Sequence, residues 1–165
     1  MIGLRGSEPA GPYATMTEIL FYHLQRQPIE RVLPAMLEKS LERGWRVIVQ
    51  AGSDERVDAL DAHLWTYRDD GFLAHGTDRE AEAAMQPILL TVNDHNPNGA
   101  NVRFLIDGVA VPADAASYQR IVLMFDGEDD EAVAAARLRW TDAKAQGFEA
   151  TYWQADENGR WQRKA

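Results

Sequence analysis

The sequence predicts an α/β domain in three layers, a mostly parallel sheet with helices on both faces. Three observations predict it. Short β-branched or aromatic runs alternate with stretches of helical periodicity, the order that βαβ crossovers require. Several of those runs, WRVIVQ at residues 45–50 and RIVLMF at residues 120–125, are largely apolar rather than alternating, as strands buried on both faces are. The chain has 165 residues, of which 45% are hydrophobic and 26% charged, enough to bury one core and too little for two domains.

Residues 1–15, rich in glycine, proline and small side chains without periodicity, read as a flexible leader, with Met16 a candidate start of the folded domain at residues 16–165. Ile19, Leu20, Phe21 and Tyr22 form the first strand. Pro28 opens a helix in which Ile29, Val32, Leu33, Met36, Leu37 and Leu41 recur at helical spacing until Gly44 stops it. Residues 45–50 form the second strand, and Ser53 caps a second helix that reaches Trp65. Phe72 and Leu73 read as a very short strand, followed by a polar, helix-tolerant stretch at residues 77–84. PILLTV at 87–92 and VRFLI at 102–106 are strands separated by the turn-rich NDHNPNGAN. After the strand at 120–125, the acidic residues 126–131 precede a helix with Val133, Ala136, Trp140 and Ala143 on one side, ending at Gly147. FEATYWQ reads as the last strand, and RWQRK after the Asn158-Gly159 turn as a basic tail.

Composition excludes several classes of chemistry. The absence of cysteine removes disulfides, thiolate nucleophiles, iron–sulfur clusters and zinc sites built on sulfur, and suits a cytoplasmic address. No apolar run reaches the roughly 20 residues of a membrane span. A net charge of −9 argues against strong direct binding to DNA. The charge is uneven: residues 132–165 carry six basic and four acidic side chains, so the excess of acid lies upstream.

No catalytic constellation is visible. The first strand-to-helix turn, His23 to Pro28, contains no glycine, and neither G-x-G-x-x-G nor G-x-x-x-x-G-K-[ST] occurs, so the fold reads as Rossmann-like without a nucleotide-binding loop. His23, His63, His75 and His95 are scattered with no i, i+4 pair for a metal. No cofactor is expected. A small nucleotide- or coenzyme-dependent α/β enzyme is the alternative.

Two constellations read as binding surfaces. Arg137, Trp140 and Lys144 stand at spacings of three and four on the last helix, with Arg139 nearby. Guanidinium and ammonium groups beside an indole suit an acidic peptide ending in an aromatic. The same spacing also fits an indole packed inward beneath solvated bases. Residues 64–76 hold Trp65, Tyr67 and Phe72 among charges and glycine, an anchor-like loop that equally fits a clamp over the core.

FYHL in the first strand, G-x-R-V at Gly44 to Val47, LDAHLW, F-L-x-H-G at Phe72 to Gly76, QPILLT, FDG and the Trp-rich end together resemble the chi subunit of bacterial DNA polymerase III, from about Thr17 to Lys164. The resemblance implies a non-enzymatic adaptor of the clamp-loader assembly. It implies that Arg137 and Trp140 hold the acidic C-terminal tail of single-stranded-DNA-binding protein. A family lysine falls on Val133 and a basic residue on Thr141, with Arg139 and Lys144 as substitutes. The other contact, with a psi subunit or a helicase, maps to Trp65, Phe72 and Leu73.

Overall fold

A computed structural model describes residues 16–67 and 73–165. Eight strands form one sheet: β1 (Glu18–Leu24), β2 (Val47–Gln50), β3 (His75–Thr77), β4 (Ile88–Thr91), β5 (Val102–Leu105), β6 (Arg120–Asp126), β7 (Glu149–Ala155) and β8 (Trp161–Arg163). Their order across the sheet is β3-β4-β2-β5-β6-β1-β7-β8, and every neighbouring pair is parallel except β7–β8. Helices α1 (Ile29–Glu42) and α2 (Asp54–Trp65) cover one face and α3 (Asp130–Ala145) the other, as the alternation of elements predicts.

The helices begin and end for local reasons. Pro28 supplies an extended residue ahead of α1, and Gly44 at φ +80° turns the chain out of it, a conformation that costs a side-chain-bearing residue dearly. Ser53 caps α2 by accepting from Arg56 N–H at 3.2 Å. Asp129 caps α3 by accepting from the N–H groups of Glu131 and Ala132.

Side-chain parity divides the core. On β1, Leu24 and Tyr22 join Leu33, Leu37, Leu60 and Val122 beneath α1 and α2, while Ile19 and Phe21 join Ile121, Leu123, Ala136 and Ala143 beneath α3. Successive positions of one strand thus serve opposite faces.

Three sequence expectations are corrected. The short strand lies at His75–Thr77, not at residues 72–73; Phe72 is outside the described residues, and Leu73 is an irregular, buried residue. Residues 78–84 form turns leading to one 3₁₀ turn, Ala83–Met85, rather than helix. The basic tail is strand β8, folded back on β7 through the Asn158-Gly159 turn. Arg103, in β5, is fully buried. Its guanidinium donates to Gln50 Oε1 (3.0 Å), Tyr118 Oη (2.9 Å) and the carbonyls of His95 (2.9 Å) and Asn93, which ties the 93–101 turn to the sheet. Neutral acceptors satisfy this buried cation, so removing it would strand several oxygens.

Candidate protein-binding site on the last helix

In a doubly wound sheet a ligand crevice opens where adjacent strands send their helices to opposite faces. Here those strands are β1, followed by α1, and β6, followed by α3. A crevice of about 700 Å³ lies there, lined by Leu24 to Glu30, Asp107, Asp126 and the first turns of α3. It is acidic: Glu30, Asp107, Asp126, Glu128, Asp129 and Glu131 face three arginines, Arg26, Arg56 and Arg139. Arg56 is held by Glu30 at 2.7 Å and reaches Asp107 at 3.4 Å. Asp129 caps the N-terminus of α3, whereas α1, entered through Pro28, carries no side-chain cap. The excess of carboxylates makes the crevice a poor host for a phosphate.

The stripe on α3 is different. Trp140 is half-buried, its ring edge-to-face with Phe21 (centroids 5.3 Å) and with Tyr152 (6.0 Å). Lys144 Nζ lies 5.2 Å from the Trp140 ring centroid, a cation–π contact, and both Lys144 and Arg137 are exposed. Leu138, beside Arg137, is 68% exposed. The indole thus packs against Phe21 and Tyr152 while staying partly exposed beside a cation.

Beyond Trp140 the rings continue. Tyr152 meets Phe125 (6.0 Å) and His23 (5.9 Å), and His23 meets Phe125 (5.2 Å). His23 Nδ1 and Tyr152 Oη are 2.6 Å apart. Burial raises the Tyr152 pKa while the positive charge of Arg137 opposes the rise, which puts the guanidinium and the phenol in one electrostatic neighbourhood. Desolvation lowers the His23 pKa, against the pull of Asp126.

Arg139 does not join this stripe. Two residues from Arg137, it turns away and lines the acidic crevice. The residues the structure gathers on this candidate surface are Arg137, Trp140, Lys144 and Tyr152. Sequence reading missed Tyr152 and the packing role of His23 because they are 129 positions apart; the only signal was that both stand in strands on the parity shared with core-facing neighbours.

At the second predicted surface, Trp65 is 57% exposed and its ring lies 5.1 Å from that of His75. His75 is buried between the Leu73 carbonyl (2.6 Å) and Asp61 Oδ1 (3.0 Å). Leu73 is only 5% exposed, so its side chain belongs to the core, and Phe72 lies outside the described residues.

Comparison with known proteins decides the family. The model of the family described as DNA polymerase III chi subunit, HolC, matches residues 16–151. The chain belongs to the DNA polymerase III chi subunit family. A relative from Rickettsia prowazekii (strain Madrid E), described as "Probable DNA polymerase III subunit chi", is 25% identical over 121 residues, spanning 67% of this chain and 71% of the relative. The chi family is one of replication accessory subunits associated with the clamp-loader complex. Arg137, Trp140 and Lys144 fall within the matched residues, whereas Tyr152 lies just past them. Among the described residues no helix is long and apolar enough to cross a membrane, and no group of three or more His, Asp or Glu is placed to hold a metal.

Proposed function

We propose that this chi-family chain is a non-catalytic, cytoplasmic adaptor that binds the acidic C-terminal tail of single-stranded-DNA-binding protein along α3 and a second protein, a psi subunit or a helicase, around Trp65. The observation that carries the first half is the half-open Trp140 ring with Lys144 5.2 Å from its centroid and Arg137 one turn away. Carboxylates of the tail pair with Arg137 and Lys144, and the terminal aromatic packs beside Trp140. Each charge-assisted bond contributes about 1.5–3 kcal/mol where it is sheltered. Val133 and Thr141 offer no charge, so the cationic work falls on Arg137 and Lys144 alone. The excess of carboxylates over arginines in the crevice supports an adaptor over a nucleotide-dependent enzyme.

Fluorescence anisotropy with a labelled acidic peptide ending in phenylalanine tests the reading. Arg137→Ala should weaken binding about tenfold, and raising the salt should weaken the wild type. Unchanged affinity in Arg137→Ala removes the arginine, and the site with it.

A further inference from the structure

Tyr152 projects from β7 on the face that α3 covers, next to Trp140, with its hydroxyl 2.6 Å from His23 Nδ1. Which of the two groups donates is decided at the other ring nitrogen. His23 Nε2 is buried and has no hydrogen-bond partner. It abuts Gly127 so closely that a Cβ there would collide with the imidazole. A proton on Nε2 would be an orphaned buried N–H, the rarer and costlier kind of unsatisfied group, whereas a bare Nε2 lone pair costs less to leave unmet. The neutral imidazole therefore keeps its proton on Nδ1 and donates it to Tyr152 Oη. The phenol hydrogen is then left without an acceptor among the described residues.

We infer that the Tyr152 hydroxyl donates this hydrogen to the terminal carboxylate of the bound acidic peptide, with His23 as the positioning residue that holds the phenol in its donor state. The inference rests on the reading that the α3 stripe binds such a peptide, and it names the group that recognises the peptide's end. The terminal carboxylate is the acidic group covalently nearest a C-terminal aromatic. A ring seated beside Trp140 brings it toward Tyr152, whose ring centroid is 6.0 Å from that of Trp140. Arg137, whose charge reaches the same phenol, supplies the countercharge. A neutral donor beside a cation distinguishes a chain end from an internal acidic run, because only the chain end presents ring and carboxylate on one residue.

Two N-terminally labelled peptides of one sequence test this, one with a free C-terminal carboxylate and one amidated, each titrated against wild type, Arg137→Ala and Tyr152→Phe. Tyr152→Phe keeps the ring and should weaken the free-acid peptide about tenfold while leaving the amidated one within about twofold. Equal weakening of both peptides, or no weakening of either, overturns the inference. If Arg137→Ala still weakens binding in that case, the tail-binding reading survives without it; if Arg137→Ala binds both peptides like wild type, the reading itself falls. Nitrogen-15 NMR of the imidazole in the free protein should show His23 protonated at Nδ1, and an Nε2-protonated ring would overturn the inference independently of binding.

Discussion

At its first turn α3 is ringed by Asp126, Glu128, Asp129, Asp130 and Glu131, and Asp129 accepts from two of its N–H groups, whereas further along the same helix Arg137 and Lys144 stand open to solvent beside half-buried Trp140. Acid at the start and base toward the end of a helix suit its dipole, so part of this pattern stabilises α3 with or without a partner. What the dipole does not explain is the half-open indole. The contrast teaches that the place where α/β sheets usually hold a phosphate is kept in shape but lined mainly by carboxylates. The proposed binding stripe lies further along the helix that leads away from it.

The largest expected effect separates the two regions directly. The acidic tail peptide at about a hundred times its Kd should stabilise the protein by about 2.7 kcal/mol, because it binds only the folded state. ATP, NAD and S-adenosylmethionine should leave the melting temperature unchanged. Stabilisation by any of the three would break the comparison by showing the crevice open. A smaller effect is expected from Asp129→Ala, which removes the cap and should cost about 1 kcal/mol in denaturant unfolding while leaving peptide affinity within about twofold. Loss of affinity there would mean that the two ends of α3 are coupled.

The smallest effect concerns His23. Its folded pKa lies below the ordinary histidine value of 6.5 because desolvation disfavours the charged ring. The unfolded chain therefore binds more protons as pH falls through that value, and stability should decline below about pH 6.5. His23→Gln should flatten this part of the stability profile. An unchanged slope would assign the decline to other groups.

Most of the fold could be read from the sequence, because strands buried on both faces leave unbroken β-branched runs and Ser53, Gly44 and Gly147 mark helix ends by local chemistry. Residues 72–73 misled because Leu73 is buried like a strand residue without belonging to one. Strand β8 was hidden because an edge strand tolerates the Arg and Lys of a tail. Buried Arg103 gave no sign, since its partners are two carbonyls of the 93–101 turn and the neutral side chains of Gln50 and Tyr118, brought together only by the fold. At the site, the spacing of Arg137, Trp140 and Lys144 was legible on one helix. The same rule would have set Arg139 aside, two residues being more than half a turn. Tyr152 and His23 meet only through the parallel pairing of β1 with β7, a register set by the whole sheet rather than by either segment.

Both margins of the sheet end in strands of only three residues, His75–Thr77 on one side and Trp161–Arg163 on the other. A second copy approaching either margin finds too little unpaired ladder to zip onto, and at the β8 side it also meets Arg163 and Lys164. Unpaired edges are where a sheet recruits foreign strands, and these two stubs leave little edge to recruit with.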